Sequence, residues 1–521
     1  LAEAFTTIGP HWEKDPGDLK PDFDQAACEG LNLTMCHTFD CSPSSMGVPG
    51  QVYFAGTHIN PQTTWWRDSD AFFAYLNRCH FMLQQGLPAS DVLYFYGENI
   101  PNFVRLKADD PAGVQPDYDY DVISADALID RVTVSNGRLL LPDGTRYEAL
   151  ALPPGDSYGL AALEQIARLV FRGARVVGTR PSAPIGHPLH WVRQRRFEEL
   201  ADSLWPQDVP TAGPPRPAVA ERSVVDVLRA AGLEADFRTE GSGDGAIIDY
   251  IHRRTDDADI YFVANRRDRP EHFVASMRVR GERVELWDAV SGNIAQADRA
   301  NGDGKRTNVE LRLPPFGSVF VVVRADAASE PGDADATAQS KSPYQIEHQL
   351  QTLFTLDAPW KLELPLAEGE VHDVELPTLI DWTKSSDSNL RDYSGTAVYS
   401  TSFNIPNAER LSKSDAWIDL GELENVARVI LNGKDLGVAW TRPYRVNVAP
   451  ALRIGANDLT VEVTNLWPNR LSADGRLPAD ERSTRTNVNK FKERAVALPA
   501  GLFGPVRILT LPKSETDASI E

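Results

Sequence analysis

The feature that most constrains this chain is a change in the period of its apolar residues near residue 249. Before that point, apolar runs of strand length alternate with stretches of helical spacing. After it the spacing drops to two, as expected for strands joined by turns. One polypeptide of 521 residues must therefore house an α/β part and an all-β part. That length is too great for a single core and implies about three or four domains.

In the α/β part, "LAEAFTT" (1–7) reads as the end of a buried strand. A short helix over 23–31 closes near Gly30, and a compact apolar strand over 32–39 ends near His37. A loop rich in Gly, Pro and Ser follows, then a helix over 71–86 that Gly86 and Pro88 terminate. Strand, helix, strand, loop, helix is the tail of a repeating βα pattern. Residues 1–90 are thus expected to be the C-terminal strands and helices of a (β/α)8 barrel, with the earlier units outside this chain. Residues 91–240 read as an open α/β, flavodoxin-like domain. Its strands are expected at 91–96, 147–153 and 174–178, and its helices at 124–131, 161–173 and 223–233, with Ser124 as an N-cap.

Beyond the change of period, 241–325 reads as a β-sandwich. Residues 326–343, small, polar and acidic, have the composition of a linker. Residues 344–521 carry further short strands and an Asn-Gly hairpin turn in "LNGKDLG", which suggests a jelly roll.

Composition removes several function classes. A net charge of −21 opposes nucleic acid and anionic membrane surfaces, because both need a basic face. No run of eighteen apolar residues spans a bilayer. Cys28, Cys36, Cys41 and Cys79 match no zinc spacing and read as buried thiols, which leaves the redox compartment open. No G-x-G-x-x-G, G-x-S-x-G, H-E-x-x-H, P-loop or EF-hand loop appears. "DYDYD" (117–121) lacks the Gly and distal Glu of a calcium loop and reads as a solvated turn. "NLT" (32–34) fits a glycosylation acceptor but falls on an expected buried strand.

Chemistry then has few places to sit. In a (β/α)8 barrel, functional side chains project from the carboxyl ends of strands, where Glu3 and His37 fall. Glu3 suits one of the two carboxyl posts that glycoside hydrolysis needs, although a lone Glu near a chain start is ordinarily a solvated residue. His37 is placed to bind a hydroxyl or orient a carboxylate, or to rest satisfied near the core. Of Trp65 and Trp66, one is expected to pack the loop while the other offers a face to a sugar ring. His58 reads first as a loop-stabilising residue and second as a ligand. His11, Trp12 and Glu13 border the same cleft. Glu98 ends the first strand of the second α/β domain, at a switch-point-like position.

Taken in order, "AEAFT", "CEGLN…HTF", "GTHINPQTTWW", "YLNRCHFMLQQG", "DVLYFYGEN", "VELWDAVSGNI" and "LGELENVARVILNGKDLGVAW" resemble glycoside hydrolase family 106, the α-L-rhamnosidases. The resemblance covers nearly the whole chain. It implies the C-terminal half of a multidomain bacterial exo-enzyme, with a periplasmic or extracellular location and a galactose-binding-like jelly roll at its end. Calcium is implied too, with no ligands assignable here. Family members resemble inverting hydrolases, and the Glu of "AEAFT" matches the general base, so Glu3 inherits that role. Substrate contacts are expected from His37, Trp65, Trp66, His11 and His58. The implied general acid lies in an N-terminal part of the same enzyme, and the implied substrate is a rhamnose-containing glycoside or oligosaccharide. Two alternatives stay open: another exo-glycosidase of β-galactosidase or β-glucuronidase type, and a non-catalytic carbohydrate-binding fragment using Trp440 and "TNLWPNRL" (464–471).

Overall fold

The computed structural model describes every residue except 57, 156, 186–190, 207–217, 299–303, 326–341, 358, 367–368, 406–415, 489–490, 492–496 and 512–521. Most of the expected linker lies outside the described residues.

Strands β1 (Ala2–Ala4) and β2 (Thr34–Cys36) run parallel, with Glu3 opposite Met35. Helix α1 (Pro16–Cys28) joins them, and α2 (Asp70–Leu83) follows. The sequence reading starts α1 at residue 23 because it weighs apolar residues, and the first turns are polar. A capping box sets the true start: the Asp15 carboxylate accepts from Asp18 N at 2.9 Å, and Asp18 reaches back to Asp15 N. Pro16 fits the first turn, where its missing N–H is not needed. The expectation of buried strands at 1–7 and 32–39 needs correction. Ala2 and Glu3 are exposed and Met35 is 59% exposed. Among the described residues these two strands pair only with each other, so no neighbouring strand shields them. Of the four free cysteines, Cys28 and Cys79 are buried as expected, whereas Cys36 is half-buried and Cys41 exposed.

The next unit is a parallel four-stranded sheet ordered Val176–Val177, Ala149–Ala151, Val92–Phe95, Tyr120–Ile123. All of its strands but Tyr120–Ile123 are short continuous apolar runs because both faces are covered. Helices α3 (Ala125–Arg131), α4 (Leu160–Phe171) and α5 (Trp191–Leu204) cover one face, and α6 (Val224–Ala230) the other. Ser124 caps α3 as expected, accepting from Ala127 N. "DYDYD" is not a solvated turn. Asp119 is buried and paired with Lys107 Nζ at 2.7 Å, and Tyr120 opens a strand. A tyrosine's apolar body and a paired carboxylate make this charged string buriable.

Two antiparallel sheets then pack face to face. Phe237–Glu240, Glu271–Met277 and Thr307–Leu313 form one of them. The other is six-stranded and includes Ala258–Asn265 and Ser318–Arg324, with Leu87–Pro88 at its edge. The runs "IYFVA" and "SVFVVV" do not alternate with polar residues because both faces of these strands are buried. Tyr261, Val263, Val319 and Val321 face the partner sheet, while Ile260, Phe262, Phe320 and Val322 face α1 and α2.

The last unit is a sandwich of a four-stranded and a six-stranded antiparallel sheet. Its hairpin Val426–Leu431/Lys434–Ala439 turns at Asn432 (φ 53°) and Gly433 (φ 77°). Two left-handed residues in succession are what a tight hairpin needs, and Asn-Gly supplies them cheaply. Val426 and Trp440 of this unit join Leu19, Phe72, Tyr75 and Phe262 in one hydrophobic core, so three units share buried surface.

At the same junction two carboxyl groups are held out of water. Burial and the charge of Asp18 push Asp15 up to about 7, and the same two causes push Glu424 up to about 7. Both folded values lie above the ordinary carboxylate range, so folding takes up protons and stability falls as pH rises from about 4 to 7. Asp15→Asn keeps the cap and removes the charge. It is expected to raise stability at pH 8 by about 1–3 kcal/mol, with the gain vanishing near pH 4. Calorimetric Tm at the two pH values checks this, and an equal shift at both would refute the linkage.

Candidate active site

Glu3 projects from the two-stranded sheet into solvent, and its carboxylate accepts a hydrogen bond from Thr6 Oγ1. Immediately after β1 the backbone turns through Phe5 at φ 64°, with Thr7 N donating to Phe5 O at 2.9 Å. A left-handed aromatic residue is uncommon and is held by surroundings that over-determine it. Here Phe5 packs on Phe72 with ring centroids 5.9 Å apart. Trp12, at φ 56°, is a second such residue in the same loop.

His37 lies one residue past β2, its N–H donating to Ala4 O at 2.9 Å, which sets it beside the end of the Glu3 strand. Its ring meets Tyr53 edge-on at 5.7 Å, and its buried Nδ1 has no hydrogen-bond partner among the described residues. Asp40 joins this group, a residue that sequence reasoning missed. Its Oδ1 accepts from Tyr53 N at 3.2 Å, and burial pushes its carboxyl up against the opposing charge of His37. The rings of Tyr53 and Phe54 lie tilted with centroids 4.3 Å apart and the residues are 49% and 60% exposed. Nearby, half-buried Trp66 lies edge-on to exposed Phe39 at 5.8 Å.

The other candidates sit deeper. Trp65 is 1% exposed and its Nε1 donates to Lys14 O at 3.2 Å, so it packs the loop. His58 is also buried, and neither ring nitrogen has a hydrogen-bond partner among the described residues. Burial, reinforced by Lys14 and His11, lowers its pKa to about 4, so the imidazole is neutral at physiological pH. His11 is buried next to Trp12. Glu3, His37 and Trp66 thus belong to the open end of the strands, whereas His11, His58 and Trp65 lie in the core behind the loop.

Glu98 has a structural partner. Its Oε2 accepts from Gly159 N at 2.6 Å, ahead of the first turn of α4. The carboxylate therefore takes the place that an anion occupies at helix N-termini. Glu98→Ala is expected to cost about 1 kcal/mol of stability, read by thermal melting, and to leave turnover unchanged. Trp440 is 2% exposed against Phe72 and Tyr75 and offers no face to a glycan. Trp467 is half-buried and donates to Gln62 O at 2.6 Å. Among the described residues no three His, Cys, Asp or Glu side chains converge as a metal cradle. No described helix is long and apolar enough to cross a membrane.

The galactose-binding domain-like model of glycosyl hydrolase family 2 matches residues 382–496, within the last unit. A solved rhamnosidase from Novosphingobium sp. PP1Y superposes with a TM-score of 0.84 at 30% identity, covering 98% of this chain and 47% of that one. A curated protein of Formosa agariphila that carries a provisional beta-glucuronidase description is 26% identical over 98% of this chain and 63% of its own length. The chain spans about half the length of the solved rhamnosidase and under two thirds of the curated relative. The model of glycoside hydrolase family 106, described as alpha-L-rhamnosidase, matches residues 1–299. It is to this family, glycoside hydrolase 106, that the chain belongs.

Proposed function

We propose that this chain supplies the water-activating side of an inverting exo-α-L-rhamnosidase. One observation carries the reading: an exposed strand-end carboxylate, Glu3, next to His37, inside the stretch matched to the family. In the reaction, Glu3 takes a proton from a water molecule that attacks the anomeric carbon. A carboxylic acid on the opposite face protonates the leaving oxygen. That acid comes from polypeptide outside these 521 residues. Thr6 holds the Glu3 carboxylate in one orientation, and His37 with Asp40 and Tyr53 offers polar contacts to sugar hydroxyls. The reading of residues 1–90 as the C-terminal strands and helices of a (β/α)8 barrel and the flavodoxin-like character of the second unit belong to the same proposal. Support for the second comes from its strand order, which is that of one common doubly wound arrangement.

The test is proton NMR of the first sugar released from an aryl α-L-rhamnoside by the full-length enzyme. β-L-Rhamnose appearing first is expected, and α-L-rhamnose appearing first would mean retention and refute the base assignment. A second reading, a β-glucuronidase, rests on the description of the Formosa relative. Turnover of an aryl β-glucuronide with none of the rhamnoside would favour it. A purely carbohydrate-binding fragment loses its main sequence support now that Trp440 is buried.

A further inference from the structure

A cavity of about 660 Å³ opens where three units meet, on residues separate from the Glu3 group. One wall is the C-terminal end of α1 with Gln25 and Glu29. The second is the loop 107–117, and the third is the sandwich strand bearing Asp249 and Tyr250. Its volume suits one or two sugar rings, since small-ligand sites run about 300–1,000 Å³.

The chemistry of the lining is divided. Ile247, which is 46% exposed, and Ile248 border an apolar side, backed by Phe237 and Tyr250, a stacked pair 4.6 Å apart that is itself buried in the sandwich core. The rest is polar and carries several internal pairings. Glu29 Oε2 accepts from Lys107 N at 2.7 Å, Lys107 Nζ pairs with Asp119 at 2.7 Å, and Arg266 pairs with Asp249 at 3.3 Å. Each carboxylate so engaged keeps a second oxygen, and each cation further N–H groups, so the lining offers both acceptors and donors. Five carboxylates and three cations line it, which disfavours a uronate or phosphate. An apolar side matched to C–H groups and a rim matched to hydroxyls is the pattern a neutral pyranose satisfies.

We propose that this cavity is an accessory site for a neutral oligosaccharide segment, distinct from the Glu3 group; it rests on the carbohydrate-processing reading above. The site would hold a branch or neighbouring stretch of the glycan and raise affinity for long substrates by effective concentration. The experiment uses the full-length enzyme carrying Glu3→Gln, so that the glycan survives. Backbone hydrogen exchange of 107–117 and 247–250 is followed with a neutral rhamnosyl trisaccharide and, separately, with a galacturonate trimer. Protection of both segments by the neutral sugar is expected, lost in Ile247→Asp and needing at least about tenfold more sugar in Asp249→Ala, the loss of one good polar contact. Protection confined to the Glu3 region, or stronger with the galacturonate, would overturn the proposal. Hydrolysis of an aryl rhamnoside by the enzyme with Glu3 intact is scored apart. Its failure would refute the rhamnosidase reading, whereas protection at 107–117 and 247–250 reports on this cavity alone.

Discussion

Glu3→Gln in the full-length enzyme is expected to lower kcat about 10²–10⁴-fold, the usual contribution of a positioned general base, with little change in KM. The carboxylate is exposed and bonded to Thr6, so the isosteric amide loses a proton acceptor without disturbing any packing. Folding should be untouched, which circular dichroism and melting check. Azide attacks without losing a proton and therefore needs no base. It is expected to restore turnover in the variant and to give β-rhamnosyl azide, the inverted product. Thr6→Val keeps the base but frees its orientation, and about a tenfold loss is expected, the value of one hydrogen bond. Full activity in Glu3→Gln would remove Glu3 from the reaction and leave Asp40 as the carboxylate to examine.

The change of period near residue 249 made the division into α/β and all-β parts legible, because each periodicity follows from which faces are buried. Ser124 and the Asn-Gly turn at 432–433 were legible for a different reason, since each supplies a local geometry that few residues can. What escaped was whatever depends on partners distant in sequence. "DYDYD" carries no local sign that Lys107 would neutralise Asp119 or that Tyr120 would be covered. Met35 sits in an apolar string and is exposed because β1 is the only strand that pairs with β2 among the described residues. Helix α5 was readable in hindsight: Phe197, Leu200, Ala201 and Leu204 fall at helical spacing and are its buried residues. At the candidate site, strand-end placement pointed to Glu3 and His37. Asp40 lies in a loop without periodicity, and only its burial beside His37 marks it.

Lys20→Met is expected to destabilise the full-length protein by about 3–5 kcal/mol, as when one partner of a buried ion pair is removed. Lys20 is 1% exposed on α1, the helix that follows the Glu3 strand. Its three ammonium protons have three acceptors: Asp24 Oδ2 at 2.6 Å, Phe316 O at 2.7 Å and Ser318 Oγ at 3.0 Å. Tyr75 from α2 donates to the other oxygen of Asp24. One charge therefore ties two helices to the strand Ser318–Arg324 of the sandwich. Methionine fills the space but leaves a buried carboxylate and a buried carbonyl short of a donor, and desolvation of the unpaired Asp24 dominates. Removing both charges in Lys20→Met/Asp24→Leu takes that penalty away, so the double variant is expected to recover most of the loss. Denaturant melts of the wild type, both singles and the double give the coupling energy directly. A single-variant loss under about 1 kcal/mol would mean that water reaches the pair, as at a surface salt bridge. Because α1 leads back to Asp15 and the loop that carries Phe5 and Thr6, the same variant should also loosen the Glu3 carboxylate. A fall in kcat at temperatures where the fold remains intact is the expected sign.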